Sequence, residues 1–243
     1  MNLIIDVGNT LTKAAIFSKN RLVAETYFES GSFHSGIINF LSPYSCSHAI
    51  VSSVADKNII TMLSEVTDLQ ILELTSKTPV PFKNEYKSPQ TLGVDRIALT
   101  AAAFYEFPET NVLVIDAGTC ITYDFLNEKG IYKGGAIAPG LRMRYDSLNY
   151  FTARLPLVDK SMHPKNFIGN TTESSILSGV YNGMVFEIEG MITQYRSLFQ
   201  HLTVILTGGD MQILSKTLKN TIFANPKFLI RGLNHILEYN KHE

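Results

Sequence analysis

Several features that would settle a protein's class at once are scarce or missing here. There are two cysteines, Cys46 and Cys120, in 243 residues. They make no C-x2-C or similar spacing, which excludes a cysteine-held zinc site. One disulfide is compatible with that count, but two free thiols in a reducing compartment is the plainer expectation. Charge of one sign is lacking too. Lys and Arg number 21 against 22 Asp and Glu, a formal net charge of −1. General attraction to nucleic acid is therefore not expected. No apolar run approaches the ~18 residues of a membrane-spanning helix. The first residues carry no basic region ahead of a cleavable apolar segment, and residue 6 is already an aspartate, so no signal peptide is expected. The expectation is a cytoplasmic protein with neither membrane nor nucleic acid as partner. No G-x-x-x-x-G-K-[ST] is present, which excludes a Walker-type ATPase. No H-E-x-x-H and no G-x-S-x-G is present either, and Cys120 has no identifiable histidine to activate it.

What is present is a repeat. "LIIDVGNTLTKAAIF" (3–17) returns as "LVIDAGTCITYDFL" (113–126) at an offset of 110. Asp6 falls on Asp116, Gly8 on Gly118 and Thr12 on Thr122. The register runs through two strands and a turn without a gap. A third strand follows in each copy, which gives two β-β-β units over about 2–28 and 112–138. Repeats of this kind change the fold assignment and are weighed first. The pattern further predicts a helix at 33–41, a strand at 48–55, a helix at 57–66 and a strand at 69–74. Residues 75–90, with Pro79 and Pro81, read as irregular. A helix over 91–107 carries Ile97, Thr100, Ala101 and Phe104 on one stripe. Its alanine run allows close approach to a neighbour. Helices are also expected at 141–151 and 172–198, the latter capped by Thr171 or Thr172. Glycines 179, 183 and 190 weaken that helix, and close packing is the expected return, against another subunit as one option. A strand at 202–210, a helix at 210–219, an edge strand "KFLI" at 227–230 and a helix at 232–240 complete the pattern. The class is α/β in two similar halves, 1–110 and 111–243.

Two readings of "DVGNTLTK" (6–13) compete. In one, Gly8 takes positive φ, the turn amides make an anion-binding concavity, Lys13 adds a point charge, and Asp6 holds a divalent cation that bridges to phosphate. In the other, the stretch is an Asx-type turn with a surface lysine. Asp116 stands at the end of an apolar strand, where an unpaired carboxylate is expensive to bury. It either helps hold a metal–nucleotide or caps a turn. Asp124 reads as structural or solvent-facing. "TGGD" (207–210) could offer backbone to a base or ribose, though any sharp turn uses such a pair. In "TLGVDR" (91–96), Arg96 can grip a carboxylate bidentately and Asp95 can accept a proton from an attacking hydroxyl. The alternative is a surface ion pair.

"DVGNTLTK", "YKSPQTLGVDR", "DAGTCITYD", "GGAIAPG" and "NTTESSILSGVYNG", in this order and ahead of the late "TGGD", resemble the type III pantothenate kinases. The resemblance covers nearly the whole chain. That family lies in the acetate and sugar kinase, heat-shock-protein and actin superfamily of actin-like ATPases. The resemblance implies two ribonuclease-H-like domains arising by duplication, with a cleft between them. It implies transfer of the γ-phosphoryl group of ATP to pantothenate, the first step of coenzyme A synthesis. Mg2+ and a monovalent cation, K+ or ammonium, are the implied cofactors. A homodimer is implied, with the site near the interface and the dimerisation helix in the second half. Carried over by residue, Asp6, Val7, Gly8, Asn9, Thr10, Leu11, Thr12 and Lys13 form the first ATP-phosphate loop, with Asp6 near the Mg2+. Tyr86, Gly93, Val94, Asp95 and Arg96 line the pantothenate site, with Asp95 as proton acceptor and Arg96 on the substrate carboxylate. Asp116 ligates the monovalent cation, Thr119 contacts ATP, and Thr171 reaches pantothenate from the partner subunit. Cys120 stands where the family more often has Ala, a minor change in volume. The rivals are another carboxylate or sugar kinase of the superfamily and a non-catalytic regulatory relative.

Overall fold

The computed structural model describes residues 1–8, 11–29, 32–53, 58–159, 162–220 and 222–241. Asn9 and Thr10 of the first loop lie outside these residues, as do the last two residues of the strand expected at 48–55 and the first residue of the helix expected at 57–66. The chain forms two compact units. One comprises Met1–Pro108, Gly130–Tyr132 and Lys227–Glu243, the other Glu109–Lys129 and Lys133–Pro226. In chain order the elements are β1 (Asn2–Val7), β2 (Leu11–Ser18), β3 (Arg21–Glu29), α1 (Phe33–Leu41), β4 (His48–Ser53), α2 (Asn58–Val66), β5 (Gln70–Glu73), β6 (Lys83–Asn84) and α3 (Val94–Glu106). Then come β7 (Val112–Ala117), β8 (Cys120–Leu126), β9 (Ile131–Pro139), α4 (Leu141–Tyr150), α5 (Thr172–Leu198), β10 (Thr203–Thr207), α6 (Met211–Leu214), β11 (Phe223–Ala224) and α7 (Phe228–Asn240).

In the first unit the strands lie in the order β3-β2-β1-β4-β5. β1 pairs antiparallel with β2 and parallel with β4. Period-two alternation decides what each face meets. Leu3, Ile5, Val7, Ala14, Ile16, Ala49 and Val51 face α1 and α2 through Phe33, Ile37, Ile59 and Leu63. Burying each large aliphatic chain contributes roughly 1.5–3 kcal/mol. Asn2 points to the opposite face and donates to Asn234 Oδ1 at 2.8 Å and Glu238 Oε1 at 2.5 Å, which locates α7 there. α3 packs on α7 through its alanines, all of which are buried. The approach is close enough that a Cβ on Gly232 of α7 would overlap the Ala98 carbonyl oxygen. Gly232→Ala is expected to force the two helices apart and cost about 1–3 kcal/mol, read as a lower urea midpoint.

The second unit repeats the plan, β9-β8-β7-β10-β11. Adding 110 to the bounds of β1 and β3 returns those of β7 and β9. The first two residues of β9, Ile131 and Tyr132, belong to the first unit and pair there with β6. α5 lays Ile176, Leu177, Tyr181, Met184, Val185, Ile188 and Ile192 against Leu113, Ile115, Tyr123 and Val204. Its N-cap is Thr171, whose Oγ1 accepts from the Ser174 amide at 3.1 Å while the Ser174 hydroxyl accepts from the Thr171 amide at 2.9 Å.

Some expectations need correction. "KFLI" is not an edge strand: Phe228 already begins α7, and Phe228, Ile230, Leu233, Ile236 and Leu237 are buried along it. A short apolar run does not declare its period, and packing on α3 selected the helix. The edge strand is β11, which pairs with β10 at Ile205 and Leu206. The last helix belongs with the first unit rather than with 111–226. α6 is one turn long, shorter than the expected helix over 210–219. Asp124 is 1% exposed and accepts from the Thr122 hydroxyl at 3.1 Å, so it does not face solvent.

Candidate active site

In the first unit the polar groups gather at the C-terminal end of β1. Asp6 is 8% exposed in a strand that is otherwise apolar from Leu3 to Val7. Burial pushes its pKa up from 3.8 to about 6, Lys13 opposing and Asp95 adding to the rise. Register explains Lys13: it sits opposite Asp6 on β2, so both side chains share a face. Thr12 sits opposite Val7 and takes the alternate face. The turn closes with the Gly8 amide donating to Leu11 O at 3.1 Å. The expected positive φ at Gly8 is not found, since that region is occupied among described glycines by Gly130, Gly134 and Gly208. What Gly8 provides is room, because a Cβ there would stand 3.1 Å from the same carbonyl.

The head of α3 meets this end of the sheet. Gly93 is the N-cap and Asp95 lies in the first turn, where the helix macrodipole favours negative charge. Asp95 Oδ1 accepts from the Arg96 amide at 2.9 Å, which orients the carboxylate back over Gly93. A Cβ at Gly93 would overlap that oxygen, so the carboxylate takes this pose only beside glycine. Arg96 is 4% exposed, and its guanidinium lies 5.6 Å from the Tyr86 ring centroid, a cation–π distance. Tyr86 is held in turn by its amide donating to Asn84 Oδ1 at 2.9 Å and by the Tyr132 ring 6.1 Å away. Val94 opens the helix next to them. Tyr86, Gly93, Val94, Asp95 and Arg96 are thus one cluster, and the effect of Asp95 on Asp6 ties the cluster to the β1 end.

In the second unit, Asp116 holds the place that Asp6 holds in the first. It sits opposite Thr122 on β8 and Thr207 on β10, so the carboxylate and two hydroxyls share a face. Gly208 follows with φ +96°, and a Cβ there would overlap both Asp116 Oδ1 and Ala117 O. The Asp210 amide donates to Ala117 O at 2.9 Å. The "TGGD" turn is therefore folded directly onto the Asp116 strand end. Thr119 is exposed at the tip of the β7–β8 turn.

A groove of about 980 Å3 runs along the N-terminal half of α5, lined by Arg144, Leu148 and Leu155 on one side and by Thr171, Gly179 and Gly183 on the other. Among the described residues, and leaving aside the backbone of α5 itself, no atom lies within 4 Å of a Cβ built on Gly179, Gly183 or Gly190. Close packing of these glycines is therefore not made by the described residues of this chain, which leaves the expected option of packing against another subunit. Arg144 is fixed by an ion pair to Glu187 at 2.8 Å and by donating to Pro139 O at 2.8 Å.

Residues 2–194 match the family model for type III pantothenate kinase. The chain belongs to the type III pantothenate kinase family. It is 51% identical over 244 residues to the type III pantothenate kinase of Christiangramia forsetii, covering 99% of each chain. Identity to the Flavobacterium johnsoniae enzyme is 47%, over 98% of each. Among solved structures, a Campylobacter jejuni protein described as a Baf family transcriptional activator superposes with TM-score 0.63 at 21% identity, over 99% of this chain and 100% of that one. A ROK family glucokinase from Streptomyces griseus, solved with glucose and AMPPNP, gives 0.54 at 9% identity, over 100% and 99%. At such identities these two likenesses concern the fold alone.

The kinase's own donors suit Mg2+ rather than a metal caged by protein. Among the described residues no group of three or more His, Cys, Asp or Glu converges on a metal-sized space. Asp6 is a single buried carboxylate, and Mg2+ is usually held by one or two carboxylates together with phosphate oxygens and water. One residue near this point went unnoticed in the sequence: Ser52 of β4, opposite Asp6 in the parallel pair. The available signal was the polar pair Ser52-Ser53 ending an apolar strand, where only pairing register reveals which serine faces Asp6. No helix among the described residues is long and apolar enough to cross a membrane.

Proposed function

We propose that this kinase transfers the γ-phosphoryl group of ATP to the hydroxyl of pantothenate, yielding ADP and phosphopantothenate, the first product on the way to coenzyme A. The observation that carries the reading is the Asp95–Arg96 pair at the head of α3, beside Asp6, in a chain of this family. Asp95 accepts the proton of the attacking hydroxyl. Arg96 holds the substrate carboxylate, with Tyr86, Gly93 and Val94 lining the rest of the pantothenate site. Asp6 sits nearest Mg2+, and residues Val7 to Lys13, with Asn9 and Thr10 among them, receive the phosphates. Bound Mg2+ would neutralise charge developing on the transferring group. In the second unit Asp116 holds K+ or ammonium, supported by the Thr122 and Thr207 hydroxyls on its face, and Thr119 contacts ATP. Most of the acceleration then comes from positioning and fixed electrostatics. The shared strand order of the units supports reading each as a ribonuclease-H-like domain.

The reading includes a homodimer in which Thr171 of one protomer reaches the pantothenate of its partner. The open α5 groove supports it, as do Tyr150 and Phe151, 81% and 79% exposed at the C-terminal end of α4. Gly183→Leu adds bulk where no described residue outside the backbone of α5 is a neighbour, and leucine favours helix over glycine. The variant is expected to fold normally, to sediment as a monomer and to lose activity. A dimer of unchanged strength would remove this face from the interface.

The direct test is a coupled assay for ADP with ATP and pantothenate, with and without Mg2+ and K+. Turnover requiring both cations is expected. Turnover with a sugar or another carboxylate but not pantothenate would favour a different kinase, and none with any acceptor would favour a regulatory relative. Arg96→Ala is expected to raise the KM for pantothenate about 10²-fold or more, as loss of a bidentate charge-assisted contact does, with the KM for ATP unchanged. An unaltered pantothenate KM would end the clamp role.

A further inference from the structure

Within the second unit, β9 ends at Pro139 and α4 begins at Leu141, so the junction between them falls on one residue, Gly140. Its φ of −73° and ψ of 175° are extended values that any residue adopts. Conformation therefore does not require glycine here, but space does. A Cβ on Gly140 would overlap the carbonyl oxygens of both Gly118 and Thr119, the two residues that turn β7 into β8. The Gly140 amide also donates to Thr119 O at 3.1 Å. Gly140 is itself fixed from behind. The Arg144 amide donates to Gly140 O at 3.1 Å, Arg144 Nε donates to Pro139 O at 2.8 Å, and Glu187 of α5 holds the guanidinium. The turn's own glycine is not crowded: among the described residues a Cβ on Gly118 would find only Cys120 O, at 4.0 Å.

These contacts decide where the turn amides face. In a trans peptide the C=O and the following N–H point in opposite directions. The Gly118 and Thr119 carbonyls are turned toward the head of α4, so the Thr119 and Cys120 amides are turned away from it. The Thr119 amide has no hydrogen-bond partner among the described residues. Successive N–H groups on one side of a turn make an anion-binding concavity. The carbonyl oxygens, which would repel a phosphate, are meanwhile held at the positive end of a helix.

We propose that Gly140 is a positioning residue for the nucleotide. Lying flush against the β7–β8 turn, it keeps the Gly118 and Thr119 carbonyls toward α4 and leaves the Thr119 and Cys120 amides to receive phosphate oxygens of ATP. This rests on the reading of the chain as an ATP-dependent kinase and adds to it a residue that touches neither substrate. A methyl group at position 140 fits only if the turn recedes. Displacement of a binding group by about 1 Å can cost about 10²-fold in rate.

The test is Gly140→Ala in the full chain. Its kcat/KM for ATP is expected to fall about 10²-fold, with the KM for pantothenate unchanged. Leu113→Ala controls for lost stability. It opens a cavity in the core at the other end of β7 and should keep the wild-type KM for ATP. Amide NMR of the wild type gives a second reading that needs no variant. The Thr119 and Cys120 resonances should move on adding AMPPNP with Mg2+ and stay in place with adenosine, which has no phosphate. A folded Gly140→Ala protein with the wild-type kcat/KM for ATP overturns the proposal. So does one whose KM for pantothenate rises as much as that for ATP, since the damage would then be general. Thr119 and Cys120 amides that ignore AMPPNP overturn it as well, whether or not the variant folds. Failure of the wild type to phosphorylate pantothenate would sink the functional reading, while the AMPPNP titration would still decide what the turn binds.

Discussion

Asp95→Asn is expected to lower kcat with pantothenate by about 10²–10⁴-fold, the span that a positioned general base supplies, while ADP binding stays near wild type. The substitution is nearly isosteric. An asparagine Oδ1 can still accept from the Arg96 amide, so the head of α3 keeps its geometry. What it loses is the capacity to take a proton from the substrate hydroxyl. Near-normal turnover in a stopped-flow or coupled assay would remove Asp95 from the mechanism. A second consequence follows from charge alone. The Asp95 carboxylate is one of the groups that raise the pKa of Asp6, so neutralising residue 95 should move the Asp6 titration downward. Carboxyl NMR of the metal-free protein can follow that shift.

Asp6→Asn should remove activity and at the same time stabilise the metal-free fold above pH 6. The Asp6 pKa is raised from 3.8 to about 6, chiefly by burial. The folded chain therefore binds this proton more tightly than the unfolded chain between those two values. Stability from this group is greatest below about pH 4, declines as the pH rises through 6, and is flat above. A rise of about two pKa units corresponds to roughly 3 kcal/mol carried as a penalty at pH 8. Asparagine does not ionise, so the variant should be more stable than wild type at pH 8 by up to about that amount, and by little at pH 4. Urea unfolding at the two pH values measures the difference. Equal or lower stability of the variant at pH 8 would contradict the account. The fold thus bears a cost at the place where the cation is expected, as strained or desolvated sites commonly do.

Much of this was legible from the chain alone, for identifiable reasons. The three-strand units were visible because Asp6 and Asp116 interrupt long apolar runs at the same point of a repeat, and β1 and β3 recur as β7 and β9 at the same offset. α5 was legible because its apolar residues keep helical spacing over 27 residues and Thr171 stands where a cap is needed. Such signals are local, and local chemistry determines them. "KFLI" failed because four apolar residues fit either period, and only the face of α3 chose between them. Glycines 179 and 183 read as packing residues, against another subunit as one option; they lie open along a groove, and propensity says nothing of what stands opposite.

By itself the sequence determined where polar groups break apolar strands and which family the chain resembles. Tertiary structure alone decided that Lys13, Asp6 and Ser52 form one row, that Gly93 makes room for the Asp95 carboxylate, and that Gly208 is folded onto Asp116. The reason is physical. Strand register and close backbone approach join residues tens of positions apart, and no periodicity within a single segment encodes which partner lies across the sheet.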